Sequence, residues 1–340
     1  MEKIIDPVDK TLIKSELTVQ KRVRITNKAN NEIYVFTHHD SPNLMREVGR
    51  LREIAFRHYG GGTGLETDID KYDTMDKPYR QLIVWDPENE EILGGYRFIH
   101  GSDVDFDENG KPMLATAHLL NFSDQFIKEY LPYTFELGRS FVSLEYQSTL
   151  MGRKGIFALD NLWDGLGALT VIDPDMKYFF GKVTMYGTYN KEARNMILYF
   201  LNKHFPDRDK LVTATHPLET NTDIRKMEEL FRGRTFKEDY KTLNKEVRAL
   251  GYNIPPLINA YMSLSPSMRF FGTAINDEFG DVEESGILIE INQILEEKRT
   301  RHIESYLRTK PSRRFLIRWK RIISGKGFKK PRKSKKTTNG

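Results

Sequence analysis

A chain of 340 residues, 39% hydrophobic and 30% charged, is long enough to bury a sizeable core as one large domain or two. It has no cysteine, which excludes a disulfide framework, a thiolate metal site and a cysteine acyl-enzyme, and it has no apolar run of about 18 residues from which to build a spanning helix. The formal net charge of +5 conceals an asymmetry: of 53 Lys and Arg, 14 lie at or beyond Arg308, where there is no Asp or Glu, so the first 307 residues carry 39 basic against 48 acidic groups, a net charge of −9.

In chain order, residues 1–20 show no strong pattern and read as a loosely held arm. They have neither the apolar core nor the cleavage site of a secretion signal, so a cytoplasmic protein is expected. Two β-rich runs between residues 22 and 37 flank a polar stretch at 27–31 and predict a hairpin. A helix starts at Ser41-Pro42-Asn43, because Leu44, Val48, Leu51 and Ala55 recur at spacings of three and four. On that helix Arg52 and Phe56 share a face, one turn apart.

Glycines at 60–62 and 64 break this helix and open a loop carrying Asp68, Asp70 and Asp73. The glycines lack the Gly-Lys-Ser/Thr ending of a phosphate loop, and the aspartates lack the Gly and closing Glu of a calcium loop. A substrate or structural loop is expected, with no metal. Residues 80–85 and 91–100 form a second hairpin that includes Arg97, and a short helix is expected near 123–130.

The segment Glu136-Leu137-Gly138-Arg139-Ser140-Phe141-Val142 then places two full charges on a predicted strand. Simple alternation turns Glu136 away from Leu137, Arg139 and Phe141. Burying either charge alone costs several kcal/mol, about what relaxation and water penetration leave of the desolvation penalty, so opposite charges must converge on it. Upstream, Arg52, Asp70, Asp73 and Arg97 are the candidates. Further on, residues 156–171 predict a helix, 178–186 a strand, 191–204 a helix, 211–214 a short strand, 221–250 two charged helices and 291–307 a last helix. Between these, Leu257, Ile258, Tyr261, Met262, Phe270 and Phe271 suit either an ordinary core or the lining of a fatty-chain site.

The order of these motifs resembles the acyl-homoserine-lactone synthases, and more closely the N-acyltransferases of bacterial ornithine- and glycine-lipid synthesis within the GNAT superfamily. The resemblance rests on Arg52 and Phe56, the Asp70/Asp73 loop, Arg97, the Glu136-Leu137-Gly138-Arg139-Ser140 strand, Leu162-Trp163-Asp164-Gly165-Leu166, Phe179-Phe180-Gly181 and Pro255-Pro256-Leu257, and covers roughly residues 30–292. It implies an α/β (α+β) fold with a GNAT-like mixed, mostly antiparallel central sheet flanked by helices, its central strands splayed. The acyltransferase domain would span 21–307, with an extension from about residue 216 and a basic amphipathic tail at 308–340.

What the resemblance implies for function is transfer of a long-chain, 3-hydroxylated acyl group from acyl carrier protein to an amino-acid amine, with no bound cofactor. Residues 156–166 resemble the glycine-lipid branch and favour glycine; ornithine is the alternative acceptor. Glu136 is the candidate base, with Arg97 and Arg139 completing the catalytic set. The competing reading has Glu136 merely paired with Arg52, Arg97 or Arg139, which would lower its pKa. Arg52, Phe56, Asp70, Asp73, Ser140 and Phe141 would bind substrate, the aspartates taking the acceptor ammonium and Arg97 or Arg139 its carboxylate. Gly152, Arg153, Lys154 and Gly155 stand where the superfamily holds the donor's phosphate at a helix N-terminus, and the two cations suit the acidic carrier protein.

In the tail, Phe315, Leu316, Trp319, Ile322 and Ile323 alternate with basic residues at helical spacing. This predicts insertion into an anionic membrane surface at the inner face of the cytoplasmic membrane, and nucleic acid is not expected as a partner. A noncatalytic lipid- or nucleic-acid-binding protein on the same scaffold is the reading from another class. A hydrolase reading is weak, because Ser140 has no nucleophile elbow.

Overall fold

The computed structural model describes residues 1–147, 153–309 and 312–323. Eight strands form one sheet in the order β1-β2-β3-β4-β6-β7-β10-β9. They are β1 (Arg22–Ile25), β2 (Glu32–Phe36), β3 (Arg80–Asp86), β4 (Glu91–His100), β6 (Thr134–Val142), β7 (Tyr178–Met185), β9 (Arg269–Asn276) and β10 (Val282–Glu290), while β5 (Leu120–Phe122) pairs with β8 (Val212–Ala214) in a small second sheet. All neighbours in the large sheet run antiparallel except β6 and β7. This is the mixed, mostly antiparallel GNAT fold.

The helices are α1 (Lys10–Glu16), α2 (Pro42–His58), α3 (Lys71–Thr74), α4 (Arg153–Ile172), α5 (Lys191–His204), α6 (Ile224–Leu230), α7 (Phe236–Ala249), α8 (Pro256–Met262), α9 (Glu296–Arg299), α10 (Ser305–Arg308) and α11 (Arg313–Ile323). A wide turn at Thr300–Glu304 joins α9 to α10. The sheet divides the core. On one face Leu162, Leu166 and Leu169 of α4 pack among Leu82, Phe98, Phe135 and Leu137. On the other, Leu44, Val48 and Ala55 of α2 pack among Tyr34, Phe36 and Phe141. Helix α2 has Pro42 in its first turn, where the missing N–H is no loss, and glycines end it. Gly167 is required: a Cβ there would come within 2.4 Å of the carbonyl oxygen of His302, where the turn between α9 and α10 crosses α4.

One expectation is filled in and two change. The extension adds β9 and β10 to the sheet, and Ile258, Tyr261, Met262, Phe270 and Phe271 are buried in the core. The first residues are tied down rather than loose, because Glu2 N–H donates to Gly64 O (2.7 Å), Val8 N–H to Glu47 (3.0 Å), and Arg57 to Glu2 O (2.7 Å).

The tail helix is corrected as well. Trp319 and Ile323 of α11, expected in a membrane, are 1% and 0% exposed and belong to the main core, with Phe315 and Ile322 half-buried against it. Lys320 pairs with Asp173 (3.1 Å) and with Asp175, and Arg80 Nε donates to the Ile322 carbonyl (2.9 Å). The apolar stripe covers the protein's own surface, because the acidic residues after α4 give the basic helix a dock. Among the described residues, no helix is long and apolar enough to cross a membrane.

Candidate active site

The sheet face away from α4 carries the charged residues. Strand β6 reaches it by an irregularity. Arg97 of β4 pairs with Gly138 and Gly95 with Phe141, so two residues of β6, Arg139 and Ser140, oppose one of β4. Arg139 takes the left-handed conformation with φ +46°. Such a bulge reverses the alternation beyond it. Glu136, Gly138, Arg139 and Phe141 all lie on the α2 side, which corrects the expectation that Arg139 and Phe141 face away from Glu136. Phe141 is buried in the cluster formed with α2 side chains. Ser140 turns to the other side, beside Tyr96.

Three arginines and three aspartates gather over this face. Arg52 Nε bonds Asp68 (3.0 Å) and Arg52 Nη2 bonds Asp73 (3.1 Å). Arg97 Nη1 bonds Asp70 (2.7 Å) and Asp73 (3.2 Å), and Arg139 Nε bonds Asp68 (2.9 Å). Gln81 donates to Asp73 (2.8 Å). Asp70 caps α3 through the N–H groups of Tyr72 and Asp73, which fixes the loop that carries it. Burial alone would raise the pKa of each aspartate; Arg139 and Arg52 outweigh it at Asp68, Arg97 and Arg139 at Asp70, and Arg52 and Arg97 at Asp73, holding all three below the usual range. Arg52 and Asp73 are fully buried and Phe56 nearly so, packed edge-on against Phe279 at 5.2 Å. These three hold the framework, while Asp70, with 26% of its side chain exposed, is the reachable carboxylate.

Glu136 stands apart from the ion pairs. None of its hydrogen bonds goes to Arg52, Arg97 or Arg139; its partners are the Tyr79 hydroxyl and the Thr116 N–H (3.1 Å) and hydroxyl (2.7 Å). It has no solvent exposure, and that burial pushes its pKa up to about 8, against the opposing pull of Lys182 and of main-chain N–H groups. A group half-protonated at about pH 8 can both accept and return a proton.

On the other side of Glu136, Lys182 of β7 pairs with Glu284 of β10, which also accepts from Asn276 (2.8 Å) and Thr184 (3.1 Å). Tyr79, Thr116, Lys182 and Glu284 all escape the sequence reading. Thr116 sits in a polar connection without periodicity, whereas Lys182, a lone cation inside the apolar run of β7, is a detectable signal.

Strands β6 and β7 pair only from Thr134/Tyr178 to Leu137/Gly181, although both continue, to Val142 and Met185. Beyond Leu137 and Gly181 they part, leaving main-chain groups that face the gap available to a ligand. The fork opens beside Glu136. Gly152 lies outside the described residues, as do the side chains of Arg153 and Lys154; Gly155 falls in the first turn of α4.

The acetyltransferase (GNAT) domain profile matches residues 51–153, which hold Arg52, the aspartate loop, Arg97, Glu136 and Arg139. Glycine N(alpha)-acyltransferase of Phocaeicola vulgatus is 68% identical over 311 residues, 92% of this chain and 95% of that protein. The chain belongs to the same family. Another member, glycine N(alpha)-acyltransferase of Bacteroides thetaiotaomicron, is 67% identical over 92% of both chains. A solved CoA-dependent acyl-homoserine lactone synthase, BjaI with MTA, overlaps 45% of this chain and 67% of its own at 14% identity and a TM-score of 0.27.

Proposed function

We propose that this acyltransferase joins a long-chain 3-hydroxyacyl group, delivered as a thioester on acyl carrier protein, to the α-amine of glycine, forming an aminolipid. The observation that carries this reading is the opening of the β6/β7 fork beside Glu136, a carboxyl whose burial pushes its pKa up to about 8. The thioester enters the fork, where main-chain N–H groups polarise its carbonyl. Glu136 takes a proton from the glycine ammonium, directly or through one water. The amine nitrogen attacks the carbonyl carbon and gives up its second proton to solvent water as the C–S bond breaks, and the proton held by Glu136 passes to the leaving pantetheine thiolate. No acyl-enzyme is required, because orienting amine and thioester already supplies much of the rate. Glycine as acceptor is supported by the two relatives, each named as a glycine N(alpha)-acyltransferase.

The product is an amphiphile with a fatty amide and a free carboxylate. Because Trp319 and Ile323 are buried in the core, the tail's membrane contact in this reading is mainly electrostatic, through the basic residues from Arg318 onward, each adding roughly 1 kcal/mol near anionic lipid.

The test incubates purified protein with 3-hydroxyhexadecanoyl acyl carrier protein and a panel of amino acids, identifying products by mass. The reading expects N-acylglycine from the carrier-protein donor. Ornithine as the better acceptor, or coenzyme A thioesters as better donors, would replace that part of it; no amide with any amine would end it.

A further inference from the structure

Across the sheet, three residues of the charged face stand in a row. Arg97 of β4 is opposite Gly138 of β6. Leu137 pairs with Gly181 of β7, so the next residue, Lys182, is the neighbour of Gly138 where the strands part. Two cations therefore flank a position with no side chain. Paired strands lie about 4.8 Å apart and β6 and β7 are parting here, so the two backbones are more than about 10 Å apart, a distance the long Arg and Lys side chains can span from both sides. A Cβ on Gly138 would meet only Arg97 within 4 Å, its Nε at 3.5 Å and Cγ at 3.6 Å.

Both cations have donors to spare. Among the described residues Arg97 Nε is buried without a partner, and Nη1 alone makes that guanidinium's hydrogen bonds to Asp70 and Asp73. Lys182 has three N–H groups but, among the described residues, a single hydrogen bond, to Glu284. A buried donor left unmet costs about 1–3 kcal/mol, so two such groups converging on one gap point to an anion that is bound when the enzyme works.

Resting on the acceptor reading above, we propose that Lys182 and the Nε edge of Arg97 hold the carboxylate of the amino-acid acceptor over Gly138, directing its amine along β6 towards Glu136. The charges fit a zwitterion. Arg52, Arg97, Arg139 and Lys182 are balanced by Asp68, Asp70, Asp73 and Glu284, so an acceptor with no net charge enters without upsetting the cluster. Gly138 and Glu136 lie two residues apart on one face, about 7 Å, which a small amino acid and one water can bridge. A phosphate dianion would add charge to the balanced cluster and exceed the gap left by a single missing side chain.

The test compares glycine with glycinamide, which keeps the amine and lacks the carboxylate, in the wild type, Lys182→Met and Gly138→Ala. Losing Lys182 also removes its pull on Glu136 and so alters turnover of both amines, but in Lys182→Met the KM for glycine should rise about 10- to 100-fold relative to that for glycinamide, the range for losing one charge-assisted hydrogen bond. Gly138→Ala keeps every charge, and its methyl makes only ordinary contacts, so it should fold and still lose preference for glycine by filling the gap. It decides the matter should Lys182→Met be unstable. An unchanged glycine-to-glycinamide ratio in Gly138→Ala and in folded Lys182→Met overturns the assignment. Should the wild type acylate no amine, the acceptor reading fails separately, and saturation-transfer NMR judges the carboxylate site alone: acetate bound in preference to acetamide by the wild type but not by Gly138→Ala supports it, and equal responses overturn it.

Discussion

The hydroxyl of Tyr79 donates to the carboxyl of Glu136, joining the start of the second hairpin to the forked strand in a spot with no solvent access. This pairing decides the character of Glu136. Neutral donors hold the group without fixing its charge, whereas an arginine would have locked it as a carboxylate and a poor base.

Replacing Glu136 with Gln should leave the KM for the acceptor within about threefold and lower kcat by about 100-fold or more, the usual contribution of a general base. In the wild type kcat should climb with pH through about 8 as the group ionises, and that limb should vanish in the variant. Steady-state rates from pH 6 to 9.5, roughly spanning that ionisation, check both. Unchanged turnover would remove Glu136 from the chemistry.

Stability should carry the same signature. The folded protein holds a proton on Glu136 up to about pH 8, while the unfolded chain releases it near the ordinary value of 4.5. Between those values the native state binds more protons, so this group makes stability fall as pH rises. Urea unfolding across that window should show a smaller decline for Glu136→Gln than for the wild type.

Arg52 bridges Asp68 and Asp73 with no exposed surface. Arg52→Ala leaves Asp68 with only Arg139, and Asp73 with Arg97 and Gln81, so the buried cluster is one cation short and the change should cost about 3–5 kcal/mol, far more than a surface pair. Chemical denaturation measures it. A loss below about 1 kcal/mol would show that the network is hydrated rather than buried.

At Arg139 the left-handed backbone separates conformation from charge. Arg139→Gly and Arg139→Ala both remove the bond to Asp68, yet only alanine keeps the strain of φ +46°. The alanine variant should be the less stable by roughly 1 kcal/mol, visible as a lower Tm. Equal melting would mean that β6 relaxes its bulge.

Trp319 fills the main core from α11. Trp319→Ala should cost about 3–5 kcal/mol through the cavity it leaves. Binding to anionic vesicles by the basic tail should survive in the folded fraction, as liposome flotation can show. A helix that inserted Trp319 into lipid would give the opposite pattern: little change in stability and lost flotation.

The sequence by itself determined many of the elements, though not β9 and β10, and named most of the charged residues that the fold gathers. Periodicity gave α2 with Arg52 and Phe56 on one side, the turn residues gave both hairpins, and the order of charged motifs resembled that of the GNAT superfamily. These features are local, since spacing along one element sets which side chains share its face. Tertiary structure decided the rest. The bulge at Arg139 reversed an alternation that the sequence alone implied, because it depends on how β6 pairs with β4. Tyr79 and Thr116 reach Glu136, and Glu284 reaches Lys182, only through chain crossings that no spacing records. Helix α11 has the same amphipathic pattern whether it meets lipid or protein; Asp173, Asp175 and Arg80, brought to one edge by the fold, settled which.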